Sequence, residues 1–173
     1  GVYCHAHECD QAIANQIRAR GYAIEADASW TPAQEREGSL RLMDRIRPDV
    51  VIDDGANFSR LMVMERPALA ARLVGVAEET TSGVRAFAAM QQAGELPFPV
   101  VAVNDSRLKT GFDNRHGTGE TCVATTMDLV GPSFFSANGG ARVTVAGFGP
   151  VGEGFCRRVR ALGARVTVAE ADP

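Results

Sequence analysis

Short apolar runs alternate with amphipathic stretches along this chain. Apolar runs at 2–4, 22–25, 49–53, 73–77, 100–103, 142–146 and 165–169 predict strands. Between them, helical spacing predicts helices at about 10–20, 32–47, 60–66, 81–92, 119–129 and 151–162. Ala12, Ile13 and Ile17 fall on one face of the first, after Asp10 as a cap and before Gly21 as a C-terminal stop. Thr31-Pro32 is a cap followed by a good first helical residue, and Leu40, Met43 and Ile46 face inward. Gly38 weakens that helix in the middle, Pro48 ends it, and Pro67 interrupts the next.

The strands are continuous apolar runs, which is the pattern of a parallel sheet covered on both faces. The expected fold class is α/β: a parallel, doubly wound sheet, then the first βαβ unit of a Rossmann dinucleotide-binding domain. Residues 1–130 form the expected substrate domain, incomplete at its N-terminus. The glycine-rich stretch 131–140 (G-P-S-F-F-S-A-N-G-G) reads as a linker, and 141–173 as the start of a cofactor domain. A dinucleotide fold needs more strands than this, so the chain reads as a fragment or as part of a longer protein.

Composition narrows the function classes. The 173 residues are 45% hydrophobic and 23% charged, ordinary for a globular protein. Net charge is -3 with no basic stripe, which argues against nucleic acid as a partner. No apolar run reaches the roughly 18 residues of a membrane span. Cys4, Cys9, Cys122 and Cys156 lack a framework spacing, which fits free thiols in a reducing compartment and a cytoplasmic location. Cys4, His5, His7 and Cys9 cluster, yet their spacing matches no common zinc pattern, so no metal is expected.

Three expected strands end in polar clusters: Asp53-Asp54, Glu78-Glu79 and Asn104-Asp105. Strand ends on one edge of an open α/β sheet are where ligands bind. The third cluster opens N-D-S-R-L-K-T-G-F-D-N (104–114), which packs Lys109, two aspartates and two amides into what reads as a polar loop. Further on, G-F-G-P-V-G supplies Gly147, Gly149 and Gly152 between a strand and a helix, and Glu170 follows the second strand. The glycines give a tight turn, close approach to a pyrophosphate and close helix packing; the helix N-terminus faces the phosphates. Glu170 favours NAD over its 2′-phosphorylated form, because a carboxylate pairs with ribose hydroxyls and repels phosphate.

Several stretches together resemble the S-adenosylhomocysteine hydrolase (adenosylhomocysteinase) family. They are V-I-D-D-G (51–55), E-E-T-T-S-G-V (78–84), V-N-D-S-R-L-K-T-G-F-D-N-R-H-G-T-G-E (103–120), V-A-G-F-G-P-V-G-E-G (145–154) and G-A-R-V-T-V-A-E-A-D-P (163–173). The resemblance implies reversible hydrolysis of S-adenosylhomocysteine to adenosine and homocysteine with tightly bound NAD, through a 3′-keto intermediate. It implies Lys109 and Asp113 at the 3′-hydroxyl, Asp54 as an acid or base near C4′ and C5′, Glu79 on ribose hydroxyls, and Asn114 between ribose and nicotinamide. It implies Thr80, Thr81 and Ser82 on NAD, beside Gly147, Gly149, Pro150, Val151, Gly152 and Glu170. It also implies a nucleoside substrate and a homotetramer acting in one-carbon metabolism.

The chain departs from that family in places. Pro150 stands where many members have an acidic residue, Ala56-Asn57 replaces a Gly-Asp pair, and Thr118 replaces a cysteine. The family's upstream histidine-bearing helix has no counterpart here. Each residue also has a plainer role open to it: Asp54 in a turn, Glu79 as a helix-end charge, Lys109 on the surface. A paralogue oxidising a different nucleoside at its 3′-hydroxyl, and a non-catalytic NAD-binding relative, are the alternatives.

Overall fold

The computed structural model describes residues 1–171. They form two compact units, residues 1–103 and 104–171, with the division between Val103 and Asn104.

In the first unit, β1 (Val2–Tyr3) pairs in parallel with β2 (Ile24–Glu25), joined through α1 (Gln11–Ala19). The Asp10 carboxylate caps α1 by accepting from the Ala12 and Ile13 amides. α2 (Pro32–Ile46) starts after Thr31 as the sequence predicts, and Thr31 and Gln34 form a reciprocal capping box there. Then β3 (Val50–Asp53), α3 (Asn57–Glu65), α4 (Pro67–Ala70), β4 (Gly75–Glu78), α5 (Thr81–Ala93) and β5 (Val100–Ala102) follow. The strands lie in the order β3-β4-β5, all parallel, with Asp53 opposite Glu78 and Glu78 opposite Ala102. This is the expected parallel α/β arrangement. The helices contribute Met43, Met62, Ala70 and Phe87 to one core with Val51, Val76 and Phe98. They serve one face of the sheet; on the other, Val50, Ile52 and Val101 are 59%, 82% and 65% exposed.

In the second unit a 3₁₀ turn leads into a ten-residue π-helix, Lys109–Thr118, continuous with α6 (Gly119–Val130). This corrects the expected polar loop: the Lys109–Asn114 stretch is helical. β6 (Arg142–Ala146), α7 (Pro150–Ala161) and β7 (Arg165–Ala169) complete the unit, with β6 and β7 parallel along their full length. The core is Val123, Phe135, Val159 and Ala164. Phe135 lies within the glycine-rich stretch 131–140 and is 2% exposed, so that stretch is anchored in this unit.

Two glycines bring α7 against the π-helix. A Cβ on Gly154 would strike the Arg115 carbonyl, and one on Gly119 would lie 2.9 Å from the Phe155 nitrogen. Arg115 also pairs with Glu153 at 2.7 Å, and Arg157 with the same carboxylate at 2.6 Å. Those hydrogen bonds, Arg157 foremost, hold the Glu153 carboxyl below its ordinary range despite some desolvation.

Candidate functional site

The two acidic doublets split by strand geometry. Adjacent residues on a strand point to opposite sides, so Asp53 and Glu78 turn inward while Asp54 and Glu79 stay exposed. Asp53 accepts from the Ser59 amide at 2.9 Å and the Asp54 amide at 3.0 Å. It thereby caps α3 from a distance, which is why that helix begins at Asn57, earlier than its apolar spacing predicts. Glu78 is fully buried. Its Oε1 accepts from the Gly55 and Thr80 amides at 2.9 and 2.8 Å, and its Oε2 from the Ala56 amide at 2.9 Å. Burial pushes the Glu78 carboxyl up from its ordinary value, and the three N–H groups oppose that shift.

These bonds hold the turn after Asp54 in an unusual shape. Gly55 and Ala56 both have positive φ, at 84° and 62°. The left-handed conformation costs Ala56 roughly 1–2 kcal/mol, which the Glu78 bond and its complete burial offset. Asp54 in turn accepts from the Thr80 hydroxyl, joining the ends of β3 and β4 through side chains as well as backbone. Asp54, Thr80 and Ser82 line a cleft of about 1040 Å³, whose floor includes Val50 and Ile52 on the open sheet face. Glu79 is exposed, and its amide donates to the Asp53 carbonyl at 3.2 Å. Thr81 begins α5.

The cysteine–histidine cluster forms another wall of that cleft, with Cys4, His5 and His7 lining it. His5 Nδ1 lies 3.1 Å from the Tyr3 hydroxyl and 3.3 Å from Glu35, and the His5 and His7 rings stack at 5.6 Å. The Ala6 amide, donating at 2.6 Å, and secondarily His5 hold the Glu35 carboxyl below its ordinary range. Among the described residues no three metal-binding side chains come together as a cation would require.

In the second unit the π-helix decides which side chains meet. Its backbone bonds run from i to i+5, as in the Gly119 amide donating to the Asn114 carbonyl. Residues five apart therefore share a face, and Lys109 Nζ donates to Asn114 Oδ1 at 2.9 Å. Both are half-buried, while Asp113 is exposed. Asp113 and Thr118 open onto a groove of about 600 Å³ with Thr121, Cys122 and Thr125. A Cβ at Gly117 would run into the Asp113 carboxylate, so that glycine leaves it room.

The βαβ turn has the geometry its motif predicts. Gly147 adopts φ 92°, closed to most other residues. A Cβ on Gly152 would press on the Gly147 carbonyl and lie 3.8 Å from Val145, so this glycine sets the helix close to the strand. Gly147 and Gly149, by contrast, face open space, where a ligand can reach the backbone. Pro150 is the first residue of α7 and Val151 the second; proline fits there without a lost hydrogen bond. The Glu170 carboxylate reaches back to accept from the Phe148 amide inside the turn, and from the Ala171 amide at 2.7 Å. The departure at Pro150 thus leaves intact a helix N-terminus suited to an anion.

The sequence reading missed Asp53 and Glu78 as the groups that shape the turn. The signal was present in the doublets themselves, since only one residue of each can face a ligand.

The fold and these sites define a parallel α/β protein with a βαβ unit built on a glycine-rich turn and carboxylates grouped at strand ends. A sequence model of the S-adenosyl-L-homocysteine hydrolase family matches residues 62–149, and the chain belongs to that family. The adenosylhomocysteinase of Thermotoga maritima is 40% identical over 161 residues, 93% of this chain and 39% of the relative. An adenosylhomocysteinase of Aquifex aeolicus is 43% identical over 138 residues, 78% of this chain and 31% of the relative. The S-inosyl-L-homocysteine hydrolase of Methanopyrus kandleri is 42% identical over 153 residues, 84% of this chain and 34% of the relative. The chain spans about 40% of the length of the first-matched relatives.

Proposed function

We propose that the full-length protein carrying this chain catalyses the NAD-dependent, reversible hydrolysis of S-adenosylhomocysteine to adenosine and homocysteine through a 3′-keto intermediate. The observation that carries this reading is the Lys109–Asn114 pair, set on one face of a π-helix in the same compact unit as the dinucleotide turn. π-helical segments are rare and concentrate at functional sites. Family membership supplies the reaction class.

Several features support NAD as the cofactor. Gly147 and Gly149 leave their backbone open at the α7 N-terminus, and Glu170 sits against the turn where ribose hydroxyls would lie. Gly152, Pro150 and Val151 shape that helix start, with Thr80, Thr81, Ser82 and Asn114 as further contacts in this reading. When bound, NAD supplies reversible oxidation of the 3′-hydroxyl. Lys109, steadied by Asn114, takes the 3′-hydroxyl proton, and Asp113 is a second group assigned to that hydroxyl in this reading. The neighbouring ketone acidifies the C4′ proton. Asp54 serves as acid or base as that proton leaves, the C5′–S bond breaks and homocysteine departs, after which water adds across C4′ and C5′. Glu79 holds ribose hydroxyls. Residues 1–130 act as the substrate side and 141–173 as the cofactor side, joined by 131–140, in a cytoplasmic homo-oligomer.

The test gives the full-length protein S-adenosylhomocysteine and follows thiol release together with absorbance of bound NADH. Thiol release is expected. Lys109→Ala should abolish NADH formation while nucleoside still binds; normal turnover in that variant would refute the role given to Lys109. NAD-loaded protein giving neither thiol nor NADH would leave a non-catalytic relative as the answer.

The similarity to a relative named S-inosyl-L-homocysteine hydrolase favours one second reading, in which the nucleobase is hypoxanthine. Comparing kcat/KM for the adenosyl and inosyl thioethers separates the two.

A further inference from the structure

We infer that Glu78, which no proposed step uses, is a positioning residue that sets Asp54 for its acid–base role; this rests on the function proposed above. Glu78 is 0% exposed, and its carboxylate spans two strand ends. Two of its three hydrogen bonds go to the residues after Asp54, Gly55 and Ala56. The third goes to the amide of Thr80, whose hydroxyl binds the Asp54 carboxylate. One buried group therefore fixes the backbone on which Asp54 stands and the side chain that orients it.

The surroundings are built around this carboxylate. Gly83, buried at the start of α5, has no room for a methyl, because a Cβ there would occupy the space of the Glu78 carboxylate. Ala56 takes a left-handed conformation in order to present its amide to Oε2. The carboxylate's value lies in having two acceptor oxygens. A glutamine has one, so its amide nitrogen must confront at least one of the three N–H groups. Glu78→Gln keeps the volume and removes the clamp. Moving a reacting group by about 1 Å can cost on the order of 10²-fold in rate.

A double-mutant cycle in the full-length, NAD-loaded enzyme tests this. Single-turnover thiol release from S-adenosylhomocysteine is measured for wild type, Asp54→Asn, Glu78→Gln and the double variant. If Glu78 acts through Asp54, Glu78→Gln slows release on the order of 10²-fold beside Asp54 and less than about threefold beside Asn at that position. Equal losses in both backgrounds would show a general structural role and overturn the inference. Should Glu78→Gln fail to fold, Gly83→Ala, which crowds the same carboxylate, goes through the same cycle with the same two outcomes. Failure of both variants to fold makes Glu78 a folding residue and also overturns it. A wild type that binds NAD but releases no thiol refutes the proposed function itself, and this inference falls with it.

Discussion

The contact between α7 and the π-helix leads to a quantitative prediction at Gly154. An added methyl there would overlap the Arg115 carbonyl oxygen and lie 2.8 Å from the carbonyl carbon and 3.0 Å from the Cα. All three are backbone atoms of the facing helix, so no side chain can swing aside. The helices must separate, and the core of Val123, Phe135 and Val159 that depends on their closeness loosens. Overpacking costs about 1–3 kcal/mol, and a backbone obstacle puts this case near about 3. Replacing glycine by alanine inside a helix returns about 1 kcal/mol. The net loss for Gly154→Ala is therefore about 2 kcal/mol, or a fall in Tm of about 4–8 °C for a protein of this size. Gly111 is the control: it is in the π-helix, and a Cβ there meets nothing within 4 Å. Gly111→Ala should leave stability unchanged or raise it by up to about 1 kcal/mol. Urea denaturation followed by circular dichroism measures both variants. A Gly154→Ala protein as stable as wild type would refute the tight contact, and with it the view that the Lys109 helix is braced by α7.

Other expectations follow from single sites. Phe87 is 2% exposed in the core of the first unit and meets Phe98 edge to face at 6.0 Å, so Phe87→Ala should cost about 3–5 kcal/mol in the same denaturation assay. Glu170→Gln should weaken NAD binding about tenfold, by removing a charged acceptor for ribose hydroxyls, as read by titration of intrinsic fluorescence. The Glu153 carboxyl is held low by Arg157 and Arg115, so its stabilising contribution is present above the unfolded glutamate value of 4.5 and is lost as pH falls through the lower folded value. The acid limb of the stability profile should accordingly be shallower in Glu153→Gln than in wild type, as measured by thermal melts from neutral to acid pH.

Much of the fold was legible because periodicity and caps report backbone geometry directly. The limits of β6 and β7 coincide with their apolar runs, and the capping box at Thr31 starts α2 where the sequence places it. The cover of each strand was less legible. Val50, Ile52 and Val101 are as apolar as any core residue, yet their face of the sheet is open among the described residues. An apolar run records that a position tolerates burial; which neighbour buries it is tertiary information.

The candidate site divides along the same line. The motifs single out Asp54, Lys109, Asn114 and Glu170 as residue types suited to the proposed chemistry. Which of them meet was not legible. On an α-helix, spacing by four would face Lys109 toward Asp113. The i to i+5 backbone turns it to Asn114 instead, and no hydrophobic period in this polar stretch announces that choice. The segment adopts the wider turn while packed through Arg115 and Gly119 against Gly154 and Phe155 on α7. Gly154 lies in the glycine-rich motif 145–154, outside the stretch whose geometry it accompanies. In this unit a residue of the helix after the glycine-rich turn thus bears on where a lysine about forty-five positions earlier in the chain presents its amine, and neither motif alone contains that relation.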